Sequence, residues 1–177
     1  MSQQDSKSAS ISPNGCGCLL LLMGIGVIGA IALSSLFLDA SDKPMISKAK
    51  QSEAKHYVGS MNRAQQALFI EKSAFATSVN VLGLGIKTET TNYKYSVRAT
   101  KQTAFNYGVS NQKDLKSYVG GVFLVPAKNF EPNAAKEEIT TTFILCEADI
   151  PGPIKPAEPT YENGKIACGQ GTKEVTK

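Results

Sequence analysis

The sequence predicts an α+β protein. One long N-terminal helix, half apolar and half amphipathic, packs on a four- to five-stranded antiparallel sheet. Three observations carry this. An uncharged apolar run occupies Cys16–Leu38. Apolar residues then recur at three- and four-residue spacing as far as Leu68. Beyond that come short β-rich stretches separated by polar turns.

Residues 1–14, MSQQDSKSASISPN, are polar and Ser-rich without periodicity, so they are expected to form a disordered tail. Residues 15–38 follow as the apolar segment. Leu19–Leu38 alone is 20 residues. At ~1.5 Å per residue it makes a helix of roughly 30 Å, the thickness of a bilayer's hydrocarbon core. A removed signal peptide fits less well. The leader offers one Lys offset by one Asp, the core is too long, and SSLFLDASDK offers no clean A-x-A-like cleavage site. The reading is an uncleaved transmembrane helix. Gly26, Ala30 and Ser34 recur along it every fourth residue. They form either a helix-packing face or the ordinary small-residue content of a membrane helix.

Residues 39–72 read as an amphipathic extension of that helix. Ser41 or Asp42 is a candidate cap, and Pro44 suits the first turn. The apolar stripe is Met45, Ala49, Tyr57, Met61, Ala64 and Leu68. The polar face is Lys48, Lys50, Lys55, Asn62, Arg63 and Gln66. EKSAFATSVNVLGLGI is a loop with Gly83 and Gly85 as breakers.

Residues 73–177 are expected to form a globular β domain. NYKYSVRAT alternates, with Tyr93, Tyr95 and Val97 on one face. TAFNYGVSN, YVGGVFLVPA, EITTTFILCEA and KIACGQGTKEV supply the remaining strands. A sheet with one apolar face needs a cover, and the helix stripe supplies it. Asp149–Lys165 contains Pro151, Pro153, Pro156 and Pro159, so it is a loop and not a central strand.

Cys146 ends one predicted strand and Cys168 lies in the last. They bracket the proline-rich loop. Either they are two unrelated thiols, or they form a disulfide that closes the loop and is worth on the order of 3 kcal/mol. A disulfide would place the domain outside the cytoplasm. Lys43, Lys48, Lys50 and Lys55 after the span argue the other way under the positive-inside rule, which is weak for long translocated domains.

The chemistry of enzymes is not visible. The one histidine, His56, sits on the amphipathic helix. GLGIK lacks the order of a phosphate loop. Glu137 and Glu138 read as a turn ahead of a strand. The portion after Leu38 carries 18 basic and 14 acidic residues with no dense Lys/Arg cluster, so no nucleic-acid partner is predicted. No metal and no cofactor is expected, and the chain reads as a non-enzyme.

The order of parts, an apolar helix, an amphipathic helix, an antiparallel sheet and a closed C-terminal loop, resembles a type IV pilin or a type II secretion pseudopilin. AKQSEAKHYVGSMNRAQQALFIEKSAFATSVNVLGLGIKTETTNYKYSV, Ala49–Val97, is similar to the type IV pilin-like G/H family. The resemblance covers about residues 15–110 well and the remainder in outline. It implies an inner-membrane precursor with an extracytoplasmic head, and other pilin-like subunits as partners through the N-terminal helix. It also implies cleavage after a glycine and methylation of the new N-terminus. The candidates for that cleavage are Gly15 before Cys16 and Gly17 before Cys18. The family's precursor carries Phe-Thr-Leu-Ile-Glu after a basic residue and the glycine. Here neither glycine follows Lys or Arg, and Leu20 or Leu22 stands at the fifth position where the Glu belongs.

Overall fold

The computed structural model describes residues 43–176. Helix α1 runs over Lys43–Lys72. Seven strands follow: β1 Tyr93–Ala99, β2 Thr103–Ser110, β3 Tyr118–Pro126, β4 Ile139–Ala148, β5 Thr160–Glu162, β6 Lys165–Ala167 and β7 Thr172–Glu174. Five of them form one antiparallel sheet in the order β1-β2-β3-β4-β7, and β5 and β6 form a separate hairpin. Lys43–Lys177 is one compact unit.

The helix buries a narrower and differently placed stripe than its periodicity suggests. Ala54, Val58, Met61, Asn62 and Gln65 are buried. Met45 is 71 % exposed, and Ala49 is exposed. Asn62, assigned above to the polar face, points into the core instead. The helix crosses the sheet only along its middle, so its first two turns project past the core whatever their polarity. Val58 and Met61, fully buried, are worth about 1.5–3 kcal/mol each on burial. On the sheet side they meet Tyr93, Tyr95, Tyr118 and Leu145. The alternation read in β1 is the observed one: Tyr93 and Tyr95 are buried while Lys94 and Ser96 are exposed.

The sheet has two covered faces, where one was expected. Strand β2 and strand β3 are buried almost continuously. One side packs on α1. The other carries Phe105, Tyr107, Val119, Phe123, Val125, Ile144 and Cys146, over which Tyr161, Ile166 and Cys168 fold. The C-terminal segment is therefore a second layer of cover. Within it, the proline-rich stretch contributes β5, and KIACGQGTKEV splits into β6 and β7. Cys168 lies between those two strands and not inside the last one.

The adjacent glycines of β3 make the three layers possible. Successive strand residues face opposite sides. A Cβ at Gly120 would lie 2.6 Å from Asn62 Cγ on the helix side. A Cβ at Gly121 would lie 2.6 Å from Pro159 Cγ on the other. The pair marks the point where both covers approach the sheet most closely.

Among the described residues no helix is long and apolar enough to cross a membrane. The transmembrane reading of 15–38, the packing face Gly26, Ala30 and Ser34, and the cleavage candidates Gly15, Cys16, Gly17 and Cys18 lie outside the described residues.

Candidate functional site: the helix–sheet seam and the closed C-terminal loop

Three polar side chains lie fully buried between α1 and the sheet: Asn62, Gln65 and Asn106. Asn62 and Gln65 are brought to the same helix face by their spacing. Asn106 sits opposite Gly120 on the neighbouring strand, in the gap that the glycine leaves. Asn62 Nδ2 donates to Ile144 O at 3.0 Å, and its Oδ1 accepts from Asn106 Nδ2 at 2.9 Å. Gln65 Nε2 donates to Ala76 O at 3.1 Å and to Asn106 Oδ1 at 3.3 Å, and its Oε1 accepts from Ala76 N at 2.8 Å. The network thus ties the helix to β2, to β4 and to the loop after the helix. Every buried side-chain nitrogen and oxygen among the described residues has a partner. Such a network has few alternative registers, because shifting the helix would strand several buried polar groups at once.

The C-terminal cover is held in two ways. Cys146 and Cys168 are joined by a disulfide, with Cα atoms 5.8 Å apart. Glu158 is gripped by Arg98, whose Nε donates to Glu158 Oε1 at 2.7 Å and whose Nη2 pairs with Oε2. The Tyr107 hydroxyl also donates to Glu158. Arg98 stacks over Phe105 at 4.6 Å, and Lys155 lies over the Tyr107 ring at 4.2 Å. The Arg98 hydrogen bond holds the Glu158 carboxyl below its usual range, with the opposing effect of burial outweighed by further help from Tyr107 and Lys155. Burial, and then the bond to Glu158, push the Tyr107 phenol up.

A second ion cluster lies beside the helix. Lys116 Nζ is 2.9 Å and Lys173 Nζ 3.5 Å from Glu147 Oε1, and the Tyr118 hydroxyl donates to Oε2 at 3.1 Å. Burial alone would raise the Glu147 carboxyl. The bonds from Lys116 and Tyr118 and the charges of both lysines overcome this and hold it below its usual range. Lys48, Lys55, Lys116 and Glu147 line a shallow groove there; His56, Arg63 and Leu145 line its neighbour.

These clusters position elements and do not assemble a nucleophile with a base. His56 is exposed on α1. Among the described residues there is no group of three or more His, Cys, Asp or Glu placed to hold a metal. The structure joins the one pair of sequence-predicted site residues that it describes, Cys146 and Cys168. The polar seam is not legible in the sequence, because Asn62 falls among the polar-face positions of α1 and no local pattern marks Gln65 or Asn106. The paired glycines were the available signal, because glycine in a strand interior marks a close approach.

A helix laid on an antiparallel sheet and followed by a disulfide-closed loop defines a pilin-like head. Residues 51–169 match the type IV pilin-like G and H family, and the chain belongs to it. The match begins within α1 and ends at Gly169, one residue after Cys168, so it extends farther toward the C-terminus than the resemblance read from sequence. It leaves 15–50 outside. No match was found among curated proteins or among solved structures.

Proposed function

We propose that this chain is a non-enzymatic, membrane-anchored pilin-like protein. In this reading it is a structural, minor or assembly subunit of a type IV pilus or a type II secretion pseudopilus. Residues 15–38 cross the inner membrane, and the head lies outside the cytoplasm. Membership of the family is the observation that carries the reading. The disulfide supports the location of the head, since such bonds persist in oxidising compartments. The uncharged length of Leu19–Leu38 supports the anchor.

A second reading rests on a specific departure. With Leu20 or Leu22 in place of the family's glutamate, the helix lacks the group that pairs with a neighbour's N-terminus in that family. The chain would then be a stand-alone anchored domain of pilin descent that binds a partner outside the cytoplasm. Mass spectrometry of the N-terminus of membrane-extracted protein separates the two. A methylated N-terminus at Cys16 or Cys18 is the result expected of a processed subunit. An intact Met1 tail, with the chain missing from sheared surface filaments, would rule that role out and leave the anchored domain.

A further inference from the structure

Two separate segments place exposed apolar side chains at one end of the head. The first is the opening turn of α1, where Met45 is 71 % and Ile46 52 % exposed. The second is the stretch after β4, where Ile150 is 63 % and Ile154 50 % exposed. Hydrogen bonds link them through the β2–β3 loop. Ser47 Oγ donates to Asp114 Oδ2 at 3.2 Å, and Lys116 N donates to Gln51 Oε1 at 3.1 Å. On the other side of that loop, Gly152 N donates to Leu115 O at 2.9 Å, and Ser117 Oγ donates to Gly152 O at 3.3 Å. The end of β2, the start of β3 and the end of β4 meet here, as the antiparallel registers require.

The covalent chain says what lies below this end. Asp39–Asp42 are all that separate the apolar segment from α1. Four residues reach at most roughly 14 Å even when fully extended. The headgroup layer is itself about 5–8 Å thick on each side of the hydrocarbon. With residues 15–38 in the membrane as proposed above, even a fully extended linker lifts Lys43 no more than about 6–9 Å above the headgroup layer, so the end of the head that carries Lys43 would be held nearest the bilayer.

We propose that this pole rests on the membrane, with Met45, Ile46, Ile150 and Ile154 entering the headgroup layer. The proposal depends on the anchoring of residues 15–38 argued above. Among the described residues Lys43, Lys48, Lys113 and Lys155 near this end outnumber Asp114 and Asp149, so an anionic surface adds to the contact without being required for it. Apolar area supplies the attraction, so a zwitterionic surface suffices. The contact fixes the tilt of the head over the membrane before any partner arrives.

The chain contains no Trp, so a single introduced one reports alone. Full-length Ile154→Trp and Ile150→Trp are reconstituted in phosphatidylcholine vesicles, with and without bromine on the acyl chains near the glycerol. Ile70→Trp is the control: it is 81 % exposed and sits 24 residues up α1 from Ile46, about 36 Å along the helix axis. The expected result is blue-shifted emission that bromolipid quenches at 154 and 150 and leaves unchanged at 70. Equal emission with and without bromine at both test positions, in chains that stay with the vesicles through an alkaline wash, overturns this proposal and spares the anchor. A blue shift without quenching assigns the surface to a second copy of the chain and also overturns it. Chains that wash off the vesicles remove the anchor and the proposal together.

Discussion

Gly120→Ala tests the seam between helix and sheet. The added Cβ would sit 2.6 Å from both Cγ and Nδ2 of Asn62. Asn62 is fully buried and cannot swing into water. Overpacking of this kind costs about 1–3 kcal/mol. Moving Asn62 also removes its bonds to Ile144 O and Asn106, at roughly 1 kcal/mol each. The expected loss is therefore about 3–5 kcal/mol, a large part of the stability of a domain this size. Asn62→Ala alone strands the Asn106 amide and opens a void, for roughly 2–3 kcal/mol. In the double variant the methyl introduced on β3 occupies the space that Asn62 vacates. Its loss should fall short of the sum of the singles by about 1–3 kcal/mol. The assay is urea unfolding of the oxidised full chain in detergent, followed by tyrosine fluorescence from the 6 tyrosines. Where no clash exists, Gly→Ala in a strand stabilises by roughly 0.4–1 kcal/mol through the unfolded chain. A neutral or stabilised Gly120→Ala, or additive single effects, would refute the packing argument.

Two further perturbations address the C-terminal cover. Replacing Cys168 with Ser opens a loop with a sequence separation of 22 and should lower stability by about 3 kcal/mol, read as a shift in the urea midpoint relative to the oxidised parent. Thiol labelling of the unreduced parent should leave Cys146 and Cys168 unmodified, and reactive thiols at both would exclude the bond. The acid response follows from Glu158 and Glu147, whose carboxyls are held below the usual range by their partners. Folded values below unfolded ones mean that these contributions are complete above the unfolded carboxylate pKa, about 4.3. They are lost as pH falls from there through the depressed folded values. Glu158→Gln should lower stability at neutral pH and flatten the acid limb of the stability curve. An unchanged acid limb would remove the Arg98–Glu158 pair from the account.

Much of the fold was legible because its cause is local. Tyr93, Tyr95 and Val97 alternate because one face of β1 is covered and the other is not. Four strands begin and end within a residue or so of their β-rich stretches. The split of KIACGQGTKEV into two strands was not legible, because each piece is three residues long and owes its pairing to a distant partner. β7 registers on β4 across Cys146–Ala148, and β6 on β5. The candidate site divides the same way. Cys146 and Cys168 stand out by residue type and by the loop they bracket. Arg98 and Glu158 lie 60 residues apart, and nothing local marks them as partners.

The order of the parts can be read from the residues alone: the apolar run, the helix, the strands and the punctuating prolines and glycines. Each follows from periodicity or backbone freedom within a few residues. Which helix face is buried depends on the packed fold. Polarity placed Asn62 in solvent, but Gly120 leaves room above β3, and Asn106 and Ile144 O supply bonds that make a buried amide tolerable. The packed fold likewise decides that the sheet has two covers, since a continuous apolar run such as YVGGVFLVPA records burial without saying what lies on either side.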